Sequence, residues 1–156
     1  MTEDEKINDI AVAMIRRKSI DPENWRFTCF GGLHTLLTQK FQPRSGEFVV
    51  ASTQISPENW YAFITRRLVC CFNGQHGEAV LSKLEQVQFG NFKGYGPKPL
   101  QSERVPSEVA IFNFSDGSEL KIQYETGKAS MAPIYAAKFW QNKTPISDKL
   151  TVGDKN

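Results

Sequence analysis

Two histidines and three cysteines are the side chains that could carry nucleophilic or acid–base chemistry near neutral pH: His34, His76, Cys29, Cys70 and Cys71. A Cys–His nucleophile needs the imidazole within hydrogen-bond reach of the thiol and a third group that orients it. No segment combines these residues in such a motif, and the adjacent Cys70 and Cys71 must point to opposite faces of a strand. We therefore expect no catalytic residues and structural thiols, one of this pair in the core and one on the opposite surface. An enzyme that uses a cysteine with a histidine is the weaker hypothesis.

Metal ligation has no better basis in the sequence. There is no Cys-x-x-Cys, no pair of histidines at helical spacing, and Asp116-Gly117 lacks the further acidic residues of a calcium loop. Asp116 is more simply a turn residue. We expect no metal and no cofactor.

The most suggestive surface segment, 90–98, interleaves aromatic residues and lysines with glycines. Its backbone could approach a phosphate, Lys93 and Lys98 could neutralise it, and Phe92 or Tyr95 could supply contact area. The spacing matches neither a phosphate-binding P-loop nor a dinucleotide-binding motif. A mobile connecting loop with Phe92 tucked inside explains the segment more simply.

Arg66 and Arg67 lie at the start of a predicted strand, and with Arg44 they could form a basic rim. A solvated strand end explains them equally well. The candidate residues for binding a ligand or partner are Lys93, Tyr95, Lys98, Arg66 and Arg67.

Length and charge limit the classes of partner. The 156 residues suit one domain, which buries about two-thirds of the surface of its unfolded chain. Nineteen Lys and Arg against seventeen Asp and Glu give a net charge of +2, too small to predict nucleic acid binding. No run of about 18 apolar residues could span a bilayer. The acidic N-terminus and the odd number of cysteines favour a cytoplasmic protein.

The first predicted element is an amphipathic helix. Thr2 and Glu5 have the spacing of a capping box, and a stripe of apolar residues at helical intervals follows. The stripe consists of Ile7, Ile10, Ala11, Met14 and Ile15. We expect this helix to pack on the core; a detachable helix that binds a partner or a membrane is the alternative.

A short near-repeat follows, because Ile20-Asp21-Pro22-Glu23-Asn24-Trp25 matches Ile55-Ser56-Pro57-Glu58-Asn59-Trp60 at five of six positions. Both copies predict a single turn that begins at Pro, is capped by Asp or Ser, and feeds a strand at Trp. Between them, residues 33–41 fit either a helix or a strand.

Short extended segments dominate from residue 47 onward. Predicted strands cover 48–55, 60–65, 68–72, 78–83, 87–92, 109–114 and 118–125. The last two form a hairpin, in which a two-residue Asp-Gly loop would place Phe112 opposite Lys121. A three-residue loop, Ser115-Asp116-Gly117 with Gly117 at positive φ, instead places Phe112 opposite Leu120 and Ala110 opposite Ile122. We expect the second register because it gives one apolar face.

A second amphipathic helix is predicted over 131–140. Its apolar residues cover nearly half of its circumference, so the helix must pack against a large apolar surface. These residues are Met131, Tyr135, Ala136, Phe139 and Trp140. Ser130 could cap this helix. The residues after Lys143 are expected to be loosely ordered.

About seven antiparallel strands closed by a C-terminal helix resemble the pleckstrin-homology-like superfold. The segment 60–68, Trp-Tyr-Ala-Phe-Ile-Thr-Arg-Arg-Leu, is similar to an aromatic-to-Thr-x-Arg-Leu strand pair of its bacterial, GRAM-type members. The resemblance implies an α+β fold, with the strands in a partly open barrel or two packed sheets. We expect an N-terminal helical extension over 1–46, the β domain with its helix over 47–143, and a tail over 144–156.

This superfold serves lipid headgroups, peptides and other proteins, so the fold does not select a function. The missing catalytic residues and the rich aromatic content favour a non-catalytic protein-interaction module, such as a bacterial immunity protein or adaptor. Another protein is the expected partner. Anionic lipid or a phosphorylated ligand, bound by the basic-aromatic segment, is the alternative.

Overall fold

The computed structural model describes residues 2–32, 37, 40–93 and 107–141. A helix, α1 (Glu3–Lys18), precedes eight described strands, and a second helix, α2, covers 131–141. The strands are β1 (Thr28–Phe30), β2 (Val49–Ser56), β3 (Asn59–Ile64), β4 (Arg67–Phe72), β5 (Gln75–Val80), β6 (Leu84–Gln88), β7 (Ser107–Phe114) and β8 (Glu119–Glu125). They form two antiparallel sheets, β1-β2-β3-β4-β5 and β6-β7-β8. The α+β fold with two sheets and a helix at each end is confirmed.

The register of the β7–β8 hairpin is the predicted one. Phe112 pairs with Leu120 and Ala110 with Ile122, and Gly117 has a φ of 90°. The amide of Phe114 donates to the carbonyl of Ser118 across a three-residue loop. The apolar face that results packs against the five-stranded sheet.

Two predicted strands have different bounds in the structure. The strand expected at 78–83 runs over Gln75–Val80, and a turn of 3-10 helix, Leu81–Lys83, follows it. The strand expected at 87–92 begins earlier and ends earlier, at Leu84–Gln88. In both cases the bounds follow the pairing with the neighbouring strand, which runs over Gln75–Val80 against β4 and over Leu84–Gln88 against β7.

The α1 capping box is present: the Thr2 hydroxyl accepts from the Glu5 amide, and the Glu5 carboxylate accepts from the Thr2 amide. The predicted apolar stripe is partly wrong, because Val12 is buried and Ile10 is 53% exposed. Buried Asp4 lies on the core-facing side of the helix and pairs with Arg66. The core-facing side of α1 therefore carries Asp4, Ile7, Ala11, Val12 and Ile15, and Ile10 lies outside it.

The two copies of the near-repeat fold differently, so the prediction of two similar turns is wrong. Pro22–Asn24 is a 3-10 helix, and its preceding residue Asp21 makes no side-chain cap. In the second copy, Pro57 and Glu58 form the hairpin turn between β2 and β3. Pairing of Gln54 with Trp60 across that hairpin overrides the local preference for a helical turn.

The main core lies between the two sheets and includes α1 and α2. Trp140 of α2 stacks on Phe63 of β3, with 6.1 Å between ring centroids. A 3-10 helix, Gly127–Ser130, leads into α2, and Ser130 donates its hydroxyl hydrogen to the Gly127 carbonyl. Ser130 therefore does not cap α2 as predicted.

Described residues from the segment between β1 and β2 pack on the outer face of the five-stranded sheet, which is turned away from the second sheet. The Gly32 carbonyl accepts a hydrogen bond from Ser52, Leu37 is fully buried, and Phe41 stacks on Trp60 at 5.6 Å. The apolar cluster on this face contains Leu37, Val49, Trp60, Ala62, Ile64, Val69 and Cys71. The sheet is therefore packed on both faces.

Several predictions fall outside the described residues: the structures of 33–36 and 38–39, Tyr95, Lys98 and the tail after residue 143. Among the described residues, no helix is both long enough and apolar enough to cross a lipid bilayer.

Candidate functional site

Arg66, one of the predicted binding residues, is held by α1. Its Nη2 lies 2.5 Å from Oδ2 of Asp4, and its Nε donates to the same carboxylate. The hydrogen bond from Arg66 lowers the pKa of Asp4 below its usual value. The guanidinium retains access to solvent, since 56% of the side chain is exposed, but its charge is already paired.

Arg67 lies on the outer face of the sheet and is buried. Its Nη2 is 3.1 Å from Oε1 of Glu47, and its Nη1 is 3.3 Å from Oε1 of Glu78. Glu78 also pairs with Arg44. The three arginines that the sequence grouped into a basic rim are thus each bound to a carboxylate of the same chain.

Lys93 is exposed and directly follows Phe92, which is half-buried. Of the five predicted binding residues, Lys93 alone among those described forms no ion pair within 4 Å. Tyr95 and Lys98 lie outside the part of the chain that the structure describes.

Two of the three thiols, those of Cys29 and Cys70, lie in environments that disfavour the thiolate. Cys70 faces the main core and Cys71 the outer cluster, so the predicted opposite orientation is confirmed, but both are buried. Burial raises the pKa of Cys70 to about 12 and also raises the pKa of Cys29. His76 pairs in register with Cys71, yet no hydrogen bond joins their side chains in the described structure. Among the described residues, no group of three or more His, Cys, Asp and Glu side chains is placed to hold a metal ion.

A groove of about 380 Å³ lies between α2 and the chain that follows β6. Its volume is in the range of ligand clefts, about 300–1,000 Å³. The lining is mainly apolar and consists of Val87, Phe89, Phe92, Met131, Ile134, Tyr135, Lys138 and Gln141.

The strand side of this α2–β6 groove is fixed by hydrogen bonds to the core and to the start of the 3-10 helix. The Tyr124 hydroxyl donates to the Phe89 carbonyl, and the Gly127 amide donates to the Phe92 carbonyl at 2.8 Å. Phe89 also packs edge-on against the rings of Phe112 and Tyr124. These contacts hold the aromatic wall in place without a ligand.

The helix side carries cations at its rim. Lys138 Nζ lies 5.6 Å from the centre of the Tyr135 ring, and Lys18 of α1 lies 5.7 Å from it. Lys93, the exposed residue that follows Phe92 in the chain, is not among the residues that line the groove. The groove therefore combines an apolar floor with lysines at its edge.

No protein-family model, curated protein or solved structure matches this chain. The resemblance to the pleckstrin-homology-like superfold stays a prediction. The interpretation of the groove as a binding site depends on its shape and its lining alone.

One wall of this groove belongs to the amphipathic helix that the sequence predicts, but the sequence does not predict the groove itself. Met131 and Tyr135 were placed on the buried face of α2, but they are half-buried and line the groove. The width of that aromatic face could have indicated the groove, because the face is wider than the part of it that packs on the core.

Proposed function

We propose that this protein is a non-catalytic protein-interaction module that binds a segment of a partner protein in the α2–β6 groove. The observation that carries the proposal is a preformed apolar groove whose rim bears Lys138 and Lys18. The bound segment has an apolar anchor and acidic flanking residues.

The physical argument begins with the anchor. Aromatic and methionine side chains such as Phe92, Met131 and Tyr135 are enriched in binding hot spots, since they gain most from losing contact with water. The walls are held by internal hydrogen bonds, so little conformational entropy is lost on binding. The lysines then select acidic flanks and raise the association rate.

Selection from a library of random peptides tests the proposal. We expect selected peptides to share an apolar residue with Asp or Glu beside it. Met131→Glu should weaken their binding about tenfold or more, equivalent to 1.4 kcal/mol, because it places a charge in the groove. The acid at the start of α2 is compatible with the helix dipole, so the fold is retained.

Lys138→Glu should weaken the same peptides through repulsion, and the effect should shrink at high salt. Lys83→Glu is the matched control, since Lys83 is exposed and does not line the groove. Equal losses for Lys138→Glu and Lys83→Glu would show a general charge effect and contradict the proposal.

An immunity protein that caps a toxin, or an adaptor, is the class of biological role that we propose for such a module. Co-expression with the neighbouring reading frame tests this role. A stable complex that Met131→Glu disrupts supports it; a product that elutes alone counts against it.

Anionic lipid or a phosphorylated ligand is the second candidate, favoured by the exposed Lys93 beside an aromatic wall. Arg66 and Arg67 contribute less than the sequence suggested, because both are paired with carboxylates. Flotation with phosphatidylserine vesicles should show binding that falls with salt and with Lys93→Glu. Indifference to anionic lipid would remove this candidate.

A further inference from the structure

Strand β5 ends the five-stranded sheet, and among the described residues it pairs on one side only, with β4. It is six residues long and contains neither proline nor lysine, the residues that commonly protect an edge strand. In contrast, the edge strand β1 has three residues, and the amides just before it, of Arg26 and Phe27, donate to the Glu125 carboxylate. The edge strand β6 is interrupted by a register shift between Leu84 and Gln86.

The turn before β5 decides which of its backbone groups face outward. Asn73 and Gly74 have φ values of 50° and 84°, which makes a two-residue hairpin whose closing pair, Phe72 and Gln75, is hydrogen-bonded. The same alternation continues to the far end, where the Leu81 amide donates to the Arg66 carbonyl at 3.0 Å. The amides and carbonyls of His76, Glu78 and Val80 therefore point away from β4.

A cavity of about 500 Å³ lies beside this edge, between β5 and the beginning of β8. Its lining includes half-buried Phe72 and Leu120, together with residues 75–77 of the edge itself. The described residues thus leave an open space beside residues 75–77 of this edge. None of the cavity's lining residues belongs to the α2–β6 groove.

We propose that the β5 edge pairs antiparallel with β5 of a second copy of this chain, about a two-fold axis at Gly77. The outward-facing residues allow few registers. Pairing Glu78 with its own copy would oppose two carboxylates, whereas an axis at Gly77 sets His76 of one copy opposite Glu78 of the other. This register is favoured because the His76 imidazole can donate a hydrogen bond to the Glu78 carboxylate of the other copy, and each dimer contains the pair twice.

The side chains near the axis permit this approach. His76 and Glu78 are exposed on the outer face, and Gly77 adds no side chain on the inner face, where Leu120 lies. Each oxygen of Glu78 makes one hydrogen bond to an arginine, at 3.3 Å, and keeps a lone pair for a further donor. The added strand covers the cavity beside β5.

Sedimentation equilibrium from micromolar to millimolar concentration tests the pairing. We expect a monomer–dimer equilibrium, with hydrogen-exchange protection of the His76 and Glu78 amides that rises with concentration. His76→Glu should weaken dimerisation about tenfold or more, because it opposes two carboxylates. His76→Lys is the matched control: it also loses the ring contact with Trp60, but should dimerise at least as well as the native chain.

Three results would overturn the proposal: a monomer at every concentration, a dimer that both variants affect equally, or protection at another edge. Peptide binding in the α2–β6 groove is a separate measurement on the same preparations. Failure of dimerisation through β5 therefore does not count against peptide binding in the α2–β6 groove, and failure of peptide binding does not count against dimerisation.

Discussion

At the scale of single residues, the adjacent arginines show what the sequence could and could not reveal. Both were visible as charges at a strand start, but their environments depend on distant residues, Asp4 in α1 and Glu47 before β2. Sequence spacing does not encode such contacts. The pairing explains why a rim of free cations does not form.

Replacing the two arginines should have unequal effects. Arg67→Met leaves the buried Glu47 carboxylate without its partner and should lower the free energy of unfolding by roughly 3–5 kcal/mol. Arg66→Met removes a partly exposed pair that solvent screens, and should change the free energy of unfolding much less. Urea unfolding measures both; equal losses would contradict the difference in burial.

Glu47 should also make stability depend on pH. Burial would raise its pKa, but hydrogen bonds from Arg67 and the Arg44 amide outweigh burial and lower the pKa below its ordinary value of 4.5. The unfolded chain therefore takes up the proton first as pH falls. The stabilisation is complete above about pH 4.5 and is lost as pH falls through the folded-state pKa.

Urea unfolding across the acid range measures this dependence. Glu47→Gln should be less stable at neutral pH and should show a shallower decline in acid than the native chain. An equally steep decline in Glu47→Gln would show that other carboxylates control the acid response.

At the scale of elements, turns and helix ends could be predicted from neighbouring residues, whereas packing between segments distant in the sequence could not. The β7–β8 register follows from a three-residue turn, and the α1 start follows from Thr2 and Glu5. No comparable local sequence pattern predicts that Leu37 and Phe41 pack on the outer face of the five-stranded sheet. Its position depends on an apolar face formed by strands that come later in the chain.

Gly77 tests how closely β5 and β8 pack. A Cβ at this position would lie 2.6 Å from Cδ2 of Leu120. That atom is the end of a half-buried side chain beside a cavity, so Leu120 can turn aside. Gly77→Ala should therefore destabilise the protein by no more than about 1 kcal/mol, and adding Leu120→Val should recover part of the loss. Additive effects in this double-mutant cycle would mean that the two side chains do not meet.

At the scale of the whole molecule, burial of both faces of one sheet leaves few surfaces free to bind. The α2–β6 groove is apolar yet unfilled by the described chain, while Arg66 and Arg67 serve internal contacts. The sequence indicated a binding scaffold and a broad aromatic helix. It could not indicate the groove, whose walls are separated along the chain and meet only in the folded protein.

Amide chemical-shift mapping with a selected acidic, apolar peptide tests the central claim most directly. We predict that the largest shifts occur at residues 89–93 and 131–141, and that Met131→Glu abolishes them while Lys83→Glu does not. Shifts confined to β2, β3 and β4, or unchanged by Met131→Glu, would contradict the assignment of the groove as the binding site.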